Sequence, residues 1–282
     1  MKMNLRILSS AIVAALAATL GLGTGQSAFA AIELIPHRAV YGMNLHSAQR
    51  GSGITGARGN MIYGFRDGCE GWSSETNVKL HLQYAEGDQV TTEWTFASWE
   101  AKDGKSYQFR TRQARNGTTI ENLKGRVKRS SPDAVTDAKF SEPEGKVITL
   151  PKDTLFPTRH LTNMLEAGAD GRKFFSRRVF DGASLDNPYE INAVQVSRSP
   201  FTGAKKADAT EKLISEAGLP AELPKHYRLA FFAARSQTGE PQFELGVDYR
   251  ADGIARFIRQ DFGGFIIDLV LEKIEVLKKA RC

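Results

Sequence analysis

Only two of the 282 residues, Cys69 and Cys282, carry a thiol. They are too far apart for a C-x-x-C redox motif and too few for a structural zinc site. In an oxidising compartment a pair of cysteines reads as a disulfide. Two free thiols, or a terminal cysteine joining two copies, are the competing readings. An internal bond would enclose most of the chain, and loop-closure entropy then stabilises by on the order of 5 kcal/mol as an upper figure.

Other groups capable of chemistry are scattered. The five histidines are His37, His46, His81, His160 and His226, and none lies four residues from another. Neither H-E-x-x-H nor G-x-S-x-G occurs, so no zinc-protease helix or nucleophile elbow is encoded. His37, between Pro36 and Arg38, reads as a hydrogen-bonded residue at a strand entry. Gly51-Ser52-Gly53-Ile54-Thr55-Gly56 fits G-x-G-x-x-G, but that fingerprint has meaning only between a strand and a helix. Its surroundings alternate as strands do, so it reads as a flexible loop. No catalytic residue, metal ligand or cofactor site is assigned. The remaining candidate is a basic cluster around the Asn116-Gly117 turn: Arg110, Arg112, Arg115, Lys124, Arg126, Lys128 and Arg129. Arg110, Arg112, Arg126 and Lys128 could form a patch for anionic lipid or polymer. The plainer reading is a solvated outer face that discourages pairing with other chains.

These residues must be positioned by strands. Val78, Leu80, Leu82 and Tyr84 alternate with Asn77, Lys79, His81 and Gln83, the period of a half-buried antiparallel strand. Glu86-Gly87-Asp88 turns the chain into Val90, Thr92, Trp94 and Phe96 on one face, and Asp103-Gly104 turns it again. Asn116-Gly117 is a strong hairpin turn, because both residues tolerate positive φ. Phe243, Leu245, Val247 and Tyr249 form another regular strand, and the last runs over residues 265–277. Residues 49–59 read as a loop or a frayed, bulged strand. The best helix opens at Pro157-Thr158, with Thr158 as a possible cap, and ends at Gly168; residues 208–217 read as a weaker helix or an irregular excursion. No repeat or long linker divides the chain. The expected fold is all-β: a single large curled antiparallel sheet, an open barrel-like β-spiral, with one or two short helices.

The compartment follows from the first thirty residues. A basic start, an uncharged apolar run over residues 7–22 and the ending Ala28-Phe29-Ala30 make a signal peptide, with the cut expected between Ala30 and Ala31. One domain, 31–282, remains. Removal of Lys2 and Arg6 leaves thirty-six basic residues against thirty-two acidic, a net charge of +4. For an exported protein this points away from nucleic acid; lipid head groups, lipopolysaccharide or cell-wall polymers are the acidic partners it allows, and a mildly basic, solvated surface is the plainer reading. No membrane-spanning helix is expected after cleavage. A membrane barrel fits poorly, because Arg256 and Arg259 should fall on opposite faces of their strand.

Pro36-His37-Arg38-Ala39-Val40-Tyr41, the Cys69-Glu70-Gly71-Trp72 stretch and a lone second cysteine at the end together resemble the cell-envelope integrity EipB family. The resemblance implies a periplasmic spiralling β-sheet, a disulfide carried onto Cys69 and Cys282, and a role in maintaining the envelope under stress. It supplies no catalytic residue. The expected function is non-enzymatic binding of a periplasmic protein or an envelope component. The alternatives are a lipid or lipoprotein carrier using a concave apolar face and, below it, a cell-wall hydrolase.

Overall fold

The computed structural model describes residues 32–199, 204–234 and 239–282. The expected leader and its expected cut between Ala30 and Ala31 lie outside the described residues. Fourteen strands form one antiparallel sheet. Eight precede the first helix: β1 (His37–Ala48), β2 (Ile54–Asp67), β3 (Gly71–Tyr84), β4 (Gln89–Ala101), β5 (Ser106–Arg115), β6 (Thr118–Lys128), β7 (Thr136–Glu142) and β8 (Val147–Leu150). After α1 (Pro157–Ala169) come β9 (Phe174–Val179) and β10 (Tyr189–Val196). After α2 (Ala204–Glu216) come β11 (Lys225–Ala233), β12 (Phe243–Tyr249), β13 (Ala255–Asp261) and β14 (Phe265–Val276).

Each strand pairs with its sequence neighbour except β8 with β9. The first strand pairs with the last, β1 with β14, and β8 and β9 remain as the two ends of the sheet. The sheet therefore curls without closing. Beyond β8, Leu155 returns to the other end, its amide donating to the Arg178 carbonyl and its carbonyl accepting from Phe180 N–H, at 2.8 and 2.9 Å.

Directly opposed residues in antiparallel strands share a face. One such row runs Tyr227, Val247, Ile258, Leu269, Met43 from β11 to β1. Another runs His37, Phe65, Ser74, Ser98, Phe109, Gly125, Phe140 from β1 to β7. These rows carry the buried side chains and define the inner face. The helix α1 lies on it: a Cβ added at Gly168 would meet the Tyr227 hydroxyl at 2.1 Å. Burial then divides into a large cluster around β1, β2, α1 and β9–β14 and a smaller one under β5–β8.

Two open local readings resolve, and one expectation is overturned. Residues 54–59 form the bulged start of a long strand, β2, with the register shift between Ile54 and Gly56; Gly59 permits a close crossing, since a Cβ there would lie 2.1 Å from the Lys79 carbonyl oxygen. The weaker helix is a full 13-residue α2. Arg256 and Arg259 do not separate as simple alternation requires. Asp248 pairs with Phe257 and Tyr249 with Ala255, which leaves Arg256 in a bulge. A bulge re-aims its side chain, here toward Glu211 of α2, while Arg259 makes a two-pronged pair with Asp268.

Candidate functional site

Cys69 sits in the β2–β3 connection and Cys282 in the tail beyond β14. They are joined, with a Cα–Cα distance of 5.6 Å. The tail is guided there by backbone bonds from Leu277 to Pro36 and from Ala280 to Asp67. Both cysteines are exposed, so the bond is a surface clasp holding the last strand's tail against an early hairpin.

The basic cluster is divided by the alternation of β5 and β6. Arg110 and Arg112 project outward from β5, and Lys124, Arg126 and Lys128 from β6; all are exposed. Lys139 of β7, absent from the sequence-based cluster, completes this face by standing opposite Arg126. Arg129 turns away, its guanidinium 4.4 Å above the Phe156 ring and bonded to the Gly104 and Thr154 carbonyls. Arg112 bonds Thr119 Oγ1 at 2.8 Å.

Glu100 of β4 is almost fully buried, and its carboxylate accepts from the Thr158 and Arg159 amides at 2.7 and 2.9 Å. Thr158 was the expected cap of α1. Phe156 occupies that position without a side-chain cap, and a carboxylate from a distant strand does the capping. The first amides of a helix lack intrahelical partners, so the bond is well placed. Burial nonetheless pushes the Glu100 carboxyl up to about 7, against the pull of these amides. His160, one turn further on and beside Phe175, is driven down to about 4, chiefly by burial and secondarily by Arg177. His37 is likewise lowered by burial, with Nδ1 bonded to the Ile35 carbonyl at 2.7 Å. Its ring lies against Tyr63, which makes it a packing residue at the strand entry.

One polar grouping escaped the sequence reading. Asp248 accepts from Ser199 Oγ at 2.5 Å and contacts His226 Nδ1 at 2.7 Å, beside a cleft of about 260 Å³ under α2. The residue types are those of a hydrolase triad, but the order is not. A serine relay needs imidazole between hydroxyl and carboxylate, whereas on these contacts the carboxylate is central. Only the pairing of β11 with β12 brings His226 and Asp248 together, so no local sequence signal could have revealed them. Among the described residues no group of three or more His, Cys, Asp or Glu is arranged to hold a metal ion.

The inner face also presents aromatic pairs that the core does not fully cover. Trp94 and Phe96 stack at 5.7 Å, and Phe231 and Phe243 at 4.2 Å; all four are partly exposed.

An open, curled antiparallel sheet with an apolar inner face, a helix resting on it and a basic patch on its outer side over β5–β7 defines a barrel-like spiral β protein. The family model described as EipB-like matches residues 28–278, and the chain belongs to that family. It is 26% identical over 258 residues to the cell envelope integrity protein EipB of Brucella abortus, covering 91% of this chain and 89% of that one. The crystal structure of a β-barrel-like protein with a domain of unknown function, also from Brucella abortus, superposes with a TM-score of 0.77 at 26% identity. That match covers 88% of this chain and all of the other.

Proposed function

We infer that this chain is a non-enzymatic periplasmic factor that maintains the cell envelope under stress by binding a protein or another envelope component. The observation that supports this reading is the nearly full-length match to a relative named for envelope integrity. The use of the buried ionisable groups agrees with it. Glu100 caps a helix and His37 packs a strand entry, so both serve the fold. A strain lacking the gene is expected to become sensitive to detergent and to cell-wall antibiotics, and the intact gene should restore resistance. Growth of the deletion strain equal to its parent under both stresses would refute the role.

A second reading is a carrier for an acyl chain. It is favoured by the partly exposed pairs Trp94–Phe96 and Phe231–Phe243 on the inner face. Mass spectrometry of protein recovered after export would detect a co-purifying lipid, and Trp94→Ala should reduce its amount.

A further inference from the structure

Among the described residues, ten Lys and Arg side chains are held in ion pairs. Lys79, Lys102, Arg172, Arg178, Lys212, Arg228, Arg250, Arg256, Arg259 and Lys279 each pair with an acid. The outer face of β5–β7 gathers cations outside those pairs onto three adjoining strands. Arg110, Arg112, Lys124, Arg126, Lys128 and Lys139 are all exposed there, and none of the ion pairs among the described residues includes them.

Their arrangement is unfavourable for the isolated fold. Arg110 stands directly opposite Lys124, and Arg126 directly opposite Lys139; on its other side Lys124 faces Glu142, and Asp137 lies among Arg126, Lys128 and Lys139. Like charges at opposed sheet positions lie about 5 Å apart and destabilise the pairing. Lys79 and Glu93, opposed on β3 and β4, show the favourable arrangement of opposite signs. A layer of phosphates against the face would relieve both repulsions at once.

The shape and rim narrow the occupant. The cations are spread over three neighbouring strands, so they present an extended surface and not an enclosing pocket. Three exposed aliphatic residues belong to the same part of the chain: Ile120 in β6, Val135 just before β7, and Val147 in β8 opposite Lys139. Exposed cations accompanied by exposed aliphatic side chains match a bilayer interface, where head-group phosphates lie above acyl chains.

We propose that the outer face of β5–β7 docks the protein on an anionic phospholipid surface through Arg110, Arg112, Lys124, Arg126, Lys128 and Lys139. This deepens the envelope-binding reading and rests on it for the location of the protein. Docking in this way leaves the inner face free to engage a different partner.

The test is vesicle flotation with the full chain, expressed with its leader and recovered after export. Vesicles of phosphatidylcholine alone are compared with vesicles containing phosphatidylglycerol. Binding is expected only to the anionic vesicles. It should weaken steeply between about 0.01 and 0.15 M salt, as the screening length falls from roughly 30 to 8 Å. Each cation removed should lower partitioning about fivefold, so Arg110→Gln/Lys124→Gln/Arg126→Gln together should lower it roughly a hundredfold. Arg172→Gln/Lys212→Gln/Arg228→Gln, which removes the same charge elsewhere, should bind as the parent does. Melting curves of both variants identify any loss caused by misfolding. Equal binding to neutral vesicles, equal loss in both variants, or full displacement by inorganic phosphate at matched phosphate concentration would overturn the proposal. The deletion-strain phenotype is a separate readout, so vesicle docking and the envelope role can fail independently.

Discussion

The two buried clusters are built on different plans. Among the described residues the larger holds 27 buried side chains, drawn from β1–β3, both helices and β9–β14, and only five are aromatic. The smaller holds ten, and five are aromatic: Tyr107, Phe109, Phe140, Phe156 and Phe180. Between them the inner face turns polar at Ser74 and Ser98, whose hydroxyls bond at 2.8 Å. The larger cluster is redundant, since many strands contribute to it. The smaller depends on rings delivered from outside its own strands. Phe156 precedes α1 and stacks on Tyr107 at 4.7 Å, while Phe180 follows β9 and meets Phe109 edge-on at 5.4 Å. A few large apolar residues at the right places can thus hold a four-stranded flap that the rest of the core does not reach.

The largest expected effect concerns the clasp at the larger cluster's margin. Cys69 and Cys282 are separated by 213 positions. Removing a link across such a loop costs on the order of 5 kcal/mol by the chain-entropy argument, an upper figure. Cys69→Ser/Cys282→Ser should therefore shift the urea midpoint far down while the sheet content stays the same. A midpoint shared with the parent would mean that noncovalent packing of β14 suffices.

Next comes the smaller cluster. Phe180→Ala empties a fully buried ring site, and such truncations cost about 3–5 kcal/mol. Its distinguishing sign is local. Hydrogen exchange should accelerate in β5–β8 and stay slow in β14, because the serine seam separates the two regions. Uniform acceleration through both would show that the clusters open as one unit.

How much of this was legible depends on the range of the interaction. Alternation in residues 77–84 and 243–249 marks strands because side-chain direction in a strand is a local property. The meander follows from the turns between them. Pairing of β1 with β14 has no local signal beyond the two cysteines. Arg126 and Lys128 could be read as exposed cations, but Lys139 joins them only through the register of β6 with β7. Glu100 was invisible for the same reason: its partners, the Thr158 and Arg159 amides, lie more than fifty residues away.

Glu100 stands where the two clusters meet, opposite both Trp72 and Tyr107. Its folded value of about 7 exceeds its ordinary 4.5, so between those values the folded state holds a proton that the unfolded chain has released. That contribution to stability is complete at low pH and is lost as pH rises through the window. His160, on α1 in the larger cluster, has the opposite sign. Its folded value of about 4 lies below 6.5, so its contribution grows as pH rises. From about 4.5 to 6.5 the two slopes oppose each other. Glu100→Gln should expose the histidine slope, with stability relative to the parent rising by about 3 kcal/mol across that interval. His160→Leu should reveal the reverse trend. Parallel pH profiles for parent and Glu100→Gln would show that folding leaves the carboxyl's titration where the unfolded chain has it.

The smallest effect tests the flap's outer side. Lys139 opposes Arg126 in an exposed cross-strand pair of like charges. Lys139→Glu converts repulsion into attraction, worth about 0.2–1 kcal/mol for an exposed sheet pair. Thermal denaturation should detect a modest rise in stability, smaller at high salt. The same change should weaken flotation on anionic vesicles. Opposite signs in the two measurements would mean that this face carries a repulsion the fold alone does not need, retained because an anionic surface relieves it. If binding persisted while stability rose, Lys139 would lie outside the contact, and the docking face would narrow to β5 and β6.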